Sequence, residues 1–275
     1  SIPSEAQFFW DIEDEQLCKK RDLAGLMEKH GEDVALFINE ANKNDMLSPY
    51  DKMPDLHILT TMMDRARYQT IKEKIQDTSF GFSNTALFAL TSDGNSFLYN
   101  EEVDTILKYI SGRNMIDEPE DPIRDNAAIF ERIKKISTQT GSRTRLNNGD
   151  FTSQIWFLPF GKDMCIDKVS ICLKNRMMKN RVLSRYEVMI VNSKKDFKEE
   201  IKNRELKAKE EGKSGLILLA GNQLTLGITL PYVDVVMLMN DIMSSDKIVQ
   251  MMYRCMTEAS MVEGDPINDC AKKIG

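Results

Sequence analysis

Leu216-Ile217-Leu218-Leu219-Ala220 breaks at Gly221 and leads, through a polar gap, to Leu226-Gly227-Ile228-Thr229-Leu230-Pro231 and a second apolar run, Val233-Asp234-Val235-Val236-Met237-Leu238-Met239. Asn240-Asp241 closes that run, and a helix carrying Gln250-Met251-Met252-Tyr253-Arg254 follows. Bare apolar runs of this length, bounded by turn residues, predict strands buried in a parallel sheet. In open α/β sheets ligands bind in the loops at the carboxyl ends of such strands. The block over residues 214–258 is therefore both the fold signal and the place to look for a site.

Upstream of this block, strand and helix alternate. Ile155-Trp156-Phe157-Leu158-Pro159-Phe160 reads as a strand ending at Gly161-Lys162, followed by a helix over residues 163–179, a strand over 186–191 and a heavily charged helix over 194–211. The alternation predicts an α/β fold, a parallel sheet covered by helices on both faces, with strands near 155–160, 186–191, 215–220 and 233–239.

The order and spacing of the block resemble motifs V and VI of superfamily 2 helicases, with wording most similar to helicases of large DNA viruses. Gly227-Ile228-Thr229-Leu230-Pro231 stands where the family's motif V ends in a Gly-Ile-Asp-like tripeptide and a proline. Motif VI in the family reads Gln-x-x-Gly-Arg-x-x-Arg. Gln250 and Arg254 match it, while Tyr253 replaces the glycine and Thr257 the second arginine. Residues 157–162 fall where motif IV belongs.

The resemblance implies a RecA-like second helicase domain, truncated, over residues 151–275. It implies ATP as cofactor, bound in a cleft against a first RecA-like domain that lies outside this sequence and mainly holds the magnesium. The partners it implies are that domain and single-stranded or duplex DNA or RNA. Nucleic-acid contacts would fall to Gly161, Lys162, Gly221 and Asn222, nucleotide-side contacts to Gly227, Thr229 and Arg254, and the catalytic roles to Arg254 and Gln250. Thr229 replaces the family's aspartate, so a ribose contact there would come from a hydroxyl.

Physical chemistry gives these residues reasons of their own. Phosphoryl transfer needs charge stabilised on the transferring oxygens, which an arginine from a facing domain supplies with a rigid fork that lysine lacks. Gln250 and Arg254, four apart on a helix, would share a face. A surface or interface salt bridge is the plain alternative for Arg254, and the surrounding block tips the reading toward the nucleotide. Glycines at a strand-to-helix turn allow close backbone approach to an anion, although they also serve simply as turn residues.

Residues 1–150 differ in character: a mainly helical α+β region, read as the end of the first RecA-like domain plus a linker or insertion. Helices are expected over 4–29, 34–41, 65–75, 101–110 and 125–137, a strand over 56–60, and a hairpin-type turn at Asp93-Gly94-Asn95. The polar stretch over 138–150 is taken as the domain boundary. The acidic, proline-punctuated run over 117–122 reads as a solvated loop.

Some signals are set aside. Gly212-Lys213-Ser214 looks like the end of a phosphate-binding loop, but Lys207 stands where that motif requires glycine and a charged helix precedes it, so it reads as a helix-to-strand turn. Glu13, Asp14 and Glu15 have no strand before them to present a magnesium ligand. The methionines from Met237 to Met261 read as core filler. Lys168, Lys174, Arg176, Lys179, Arg181 and Arg185 are either a solvated face or a phosphate-tracking surface.

Composition narrows the class. At 41% hydrophobic and 29% charged the chain suits a globular fold, and a net charge of -6 argues against indiscriminate nucleic-acid binding without excluding a local basic groove. None of the 5 cysteines forms a C-x-x-C pair and the 2 histidines are far apart, which points away from zinc, leaves His57 as a packed or surface residue, and favours a reduced, intracellular setting, virion or host cytoplasm for a viral protein. No apolar run reaches bilayer-spanning length. Ser1 in place of methionine, with no signal-peptide pattern, suggests an excised piece. Three functions are thus expected: the motor half of an ATP-dependent helicase or translocase; a nucleic-acid-binding or scaffolding module that kept the fold but lost the chemistry; or the motor subunit of a restriction or DNA-packaging complex.

Overall fold

The structure is a computed structural model that describes residues 10–44, 50, 53–59, 65–75, 82–119, 128–139, 151–160, 164–191, 197–222, 224, 230 and 233–256. Strands β1 (Thr152–Phe157), β2 (Tyr186–Ile190), β3 (Gly215–Ala220) and β4 (Val235–Leu238) form a parallel sheet in the order β2-β3-β1-β4. β3 pairs with β1 from Thr152↔Gly215 to Phe157↔Ala220 and with β2 from Tyr186↔Gly215 to Ile190↔Leu219. The expected α/β architecture is present, and every residue of β1 and β3 is buried, as the first apolar run implied. The second run behaves differently: β4 ends the strand order and is only partly buried, with Leu238 exposed. Both runs look alike in sequence because apolarity reports side chains, whereas position in the sheet is set by pairing.

β1 begins earlier than hydrophobicity suggested, at Thr152-Ser153-Gln154. The side chains of Thr152 and Gln154 and the backbone of Ser153 find partners, while the Ser153 hydroxyl is buried without one among the described residues. The Ser153 amide donates to Asp234 Oδ2 at 3.0 Å, and the Asp234 amide donates to the Ser153 carbonyl at 2.8 Å. On the opposite side of the strand Trp156 Nε1 donates to Gln154 Oε1, and Gln154 Nε2 donates to Thr152 Oγ1, both at 3.0 Å. Alternating side chains point to opposite faces, so this ladder runs along a single face.

Two apolar layers result. On the first face Trp156, Leu158, Ile217, Leu219 and Val188 pack under α6 (Asn100–Ser111) and α8 (Ile166–Met177), together with residues from α4 (Arg65–Lys74) and α5 (Asn84–Leu87). α6 offers Val103, Leu107 and Ile110, a stripe at helical spacing, and ends at Gly112 in the left-handed region (φ 71°). On the second face Ile155, Phe157, Leu216 and Leu218 pack against Ile201 of α9 (Phe197–Glu210) and Met251 of α10 (Ser245–Met252). Apolar packing on the first face joins helices before residue 140 to the sheet after residue 150. Asp104 on α6 also holds Arg176 on α8 through two hydrogen bonds. α7 (Ile129–Gln139) lies near α6, with Phe130 against Tyr186 (ring centroids 5.7 Å).

The chain start is a small helical unit of α1 (Ile12–Lys20), α2 (Leu23–His30) and α3 (Glu32–Asn44) around Cys18, Leu26 and Ala35. The single helix expected here is two. Arg21 enters the left-handed region (φ 58°) and closes α1, and the Asp22 carboxylate then accepts the Gly25 amide at 2.9 Å to start α2. Residues 56–59, expected as a strand, join no sheet and line a cavity beside β4. Among the described residues no helix is long and apolar enough to cross a membrane.

Candidate functional site

The connection leaving β1 enters α8 on the first face, while Leu224, Leu230 and Val233 after β3, and Met251 and Cys255 after β4, belong to the second face. The chain therefore departs in opposite directions at the carboxyl end of β1 and at those of its two neighbours. That divergence is the topological switch point where open α/β sheets form their crevice.

Gly221 follows β3 directly and is buried; Asn222 beside it is exposed. Across from them the Leu158 amide donates to the Ala220 carbonyl at 2.8 Å, which holds Leu158, Pro159 and Phe160 alongside. Gly161, Lys162, Gly227, Thr229 and Thr257 lie outside the described residues.

Gln250 is exposed on α10, and the helix ends at Met252. Arg254 sits on the 3-10 turn, Tyr253–Cys255, that directly continues α10 beyond Met252. Arg254 is half-buried, and burial lowers its guanidinium pKa from the ordinary arginine value. Cys255 and Met256 belong to the same second-face apolar cluster as Ala220 and Leu224, and the Arg254 turn itself packs against β4. Near Tyr253 the field is negative: burial first, then Glu15 and Asp11 of the α1 region, raise its phenol pKa.

Two acids that sequence reasoning missed hold the sheet at its two ends, Asp234 at the amino end and Asp241 at the carboxyl end. Asp234, buried inside an apolar run, pins the start of β4 to Ser153, and an acid between two valines was the available signal. Asp241 was taken as a turn residue, yet it reaches across to cap α5. Nothing local in sequence announces that contact.

Gly212 takes the left-handed conformation (φ 66°) after α9, and the Lys213 amide returns to the Ala208 carbonyl at 2.9 Å. Gly212-Lys213-Ser214 is thus the helix-to-strand turn expected of it. The basic segment is divided: Lys174 donates to the Val188 carbonyl, Arg176 pairs with Asp104, and Arg181 and Arg185 line a cavity at the amino end of the sheet. His57 is half-buried, and burial leads the lowering of its pKa. Among the described residues no group of His, Cys, Asp and Glu is arranged to hold a metal ion. No protein-family model matches the chain, and no curated protein matches it.

Proposed function

We propose that this chain is the carboxyl-terminal motor half of an ATP-dependent superfamily 2 nucleic-acid helicase or translocase, completing an ATP site and a single-strand groove with a first RecA-like domain. What supports the reading is the parallel sheet, in which the turn after β3, with Gly221 and Asn222, and the turn after α10, with Arg254, are anchored through neighbouring residues in one second-face core. These are the segments that resemble motifs V and VI. In this reading Arg254 faces the phosphates of ATP, Asn222 faces a nucleic-acid backbone, and magnesium belongs to the first domain. Hydrolysis would open and close the cleft and so ratchet a strand across both halves.

The test is the full-length protein assayed for ATP hydrolysis with and without single-stranded DNA and RNA. Turnover stimulated by a strand is the expected result, with none from the 275-residue chain alone. Clear turnover by that chain, lost on Arg254→Ala, would put the nucleotide site elsewhere. A strand followed by Gly-x-x-x-x-Gly-Lys-Ser/Thr is expected upstream.

A second reading, a nucleic-acid-binding or scaffolding module that has lost the chemistry, is supported by the two departures from the family pattern, Tyr253 for the glycine and Thr257 for the second arginine. Strand binding by the full-length protein without ATP turnover would select it.

A further inference from the structure

A cavity of about 600 Å³ opens at the amino end of the sheet, away from the carboxyl-end crevice, where Thr152 of β1, Tyr186 of β2 and Ser214 before β3 come together. That volume falls in the range of small-molecule sites. Its walls are the turn after α6, α7, and the turn before β2, and Asn180 locks two of them together. Fully buried, Asn180 donates from Nδ2 to Ser111 Oγ (3.0 Å) and to the Arg113 carbonyl (2.9 Å), and its Oδ1 accepts the Val182 and Leu183 amides at 3.0 Å each.

Three arginines line this cavity: Arg113, Arg181 and Arg185. Arg113 and Arg185 have no carboxylate partner among the described residues. Arg181 is fixed by the carbonyls of Ile116 and Glu118, at 3.2 and 2.8 Å from Nη2, while its Nε is buried without a hydrogen bond. Glu131 is the one acid among the described lining residues. A guanidinium is a fixed fork matched to phosphate.

The floor has a direction as well. Trp156 donates to Gln154 Oε1, which turns the Gln154 amide nitrogen toward Thr152. The Thr152 hydroxyl is then an acceptor in that bond, and its own hydrogen remains available to donate. Phe130 and Tyr186 supply an aromatic side.

From the convergence of donors, positive charge and aromatic wall, we infer that this cavity binds a phosphate ester of nucleotide size, held by Arg113, Arg181, Arg185 and the Thr152 hydroxyl. The site is separate from the proposed ATP cleft and independent of that reading. Two sources share this chemistry: a free nucleotide and the terminal phosphate of a strand.

The experiment titrates the 275-residue chain with a fluorescent N-methylanthraniloyl ADP, followed by anisotropy. Saturable binding, displacement by inorganic pyrophosphate, and a loss of about tenfold or more in the Arg113→Gln/Arg185→Gln variant are expected. Lys202→Gln, on α9 against the second face, should bind like the parent. Among the described residues neither Arg113 nor Arg185 makes a side-chain hydrogen bond, so the double variant should keep its near-ultraviolet circular dichroism. Arg185→Lys reads the fork separately from the charge and should also weaken binding. Competition by a 5′-phosphorylated oligonucleotide but not its unphosphorylated form assigns the site to strand ends; competition by mononucleotides alone assigns it to free nucleotide. The inference fails if nothing binds at millimolar concentration, if the double variant binds equally well, or if unphosphorylated strands compete as effectively.

Discussion

The Asp241 carboxylate, just past β4, accepts the backbone N–H groups of Asn84 and Thr85 at 2.7 Å each, capping a helix whose first residue lies 157 positions earlier in the chain. The Ser83 hydroxyl donates to the same carboxylate at 3.3 Å. A helix N-terminus leaves amides without intrahelical partners, and an acid there satisfies them and complements the dipole. The contact fastens the first-face helices to the carboxyl end of the sheet. Asp241→Ala should cost about 1 kcal/mol, typical of a lost cap, measured as a lowered urea midpoint. Asp241→Asn should retain part of the contribution. An unchanged midpoint in Asp241→Ala would mean that the cap is not maintained in solution.

Gly215 opens β3 where there is no room for a side chain. A Cβ there would collide with the Thr152 carbonyl and stand 2.7 Å from Tyr186 Cε1. The first obstacle is backbone in a paired strand, so neither neighbour can yield without disturbing β1. Gly215→Ala should destabilise by about 1–3 kcal/mol or more, as overpacked cores do. The melting temperature should fall, and Gly212→Ala, in open space at positive φ, should be the milder change. Equal losses for the two would remove the packing argument.

The ladder from Trp156 through Gln154 to Thr152 yields a double-mutant cycle. Gln154→Leu leaves the buried indole N–H without its acceptor, at a cost of about 1–3 kcal/mol. Trp156→Phe removes that donor, so the double variant should lose less than the sum of the singles. Strict additivity in denaturant unfolding would show that the hydrogen bond contributes nothing.

Apolarity and alternation located the strands because β3 and β2 are read from side chains alone. What they missed was governed by partners distant in sequence. Thr152-Ser153-Gln154 looks like a loop, and pairing with β3 together with the bonds to Asp234 and Trp156 makes it a buried strand. The 4–29 helix pattern was broken by Asp22, whose capping bond to Gly25 competes with continuation. At the candidate site the order of Gly221, Asn222 and Arg254 along the chain was legible, and where each lies depends on a sheet order that sequence does not state. The arginine-lined cavity was invisible for the same reason: Arg113 and Arg185 meet only because Asn180 ties their turns together.

Acid should loosen the amino-terminal helices first. Burial of Asp14 would push its carboxyl pKa up, but the Asp11 amide, then His30 (2.6 Å) and Lys29, outweigh this and hold it below the usual value. A depressed folded-state value means that the stabilisation is present above the unfolded pKa of about 3.9 and is lost as pH falls through the folded value. Protection from hydrogen exchange in α1 and α2, taken relative to the intrinsic rate at each pH, should therefore fall below about pH 4. In Asp14→Asn exchange should already be fast at neutral pH. Slow exchange in that variant at neutral pH would contradict the assignment.

Arg254 offers the sharpest separation of structure from chemistry. It is half-buried on a turn whose neighbours, Cys255 and Met256, belong to the second-face core, so a modest loss of stability in Arg254→Ala is expected whatever its role. If it stabilises charge during phosphoryl transfer in the full-length protein, the same change should lower kcat more than it weakens ATP binding. Arginine fingers are worth about 10³–10⁵ in rate, so at least about two orders of magnitude should be lost. Arg254→Lys should restore the melting temperature better than the rate, because a point charge does not reproduce the fork. Thr257→Ala should change turnover far less, since a neutral hydroxyl cannot supply the charge of the family's second arginine. Rates with nucleic acid present, set beside thermal melts of the three variants, decide the matter. Turnover near that of the parent in a correctly folded Arg254→Ala would reduce the residue to packing and make the motif VI match a coincidence of spacing.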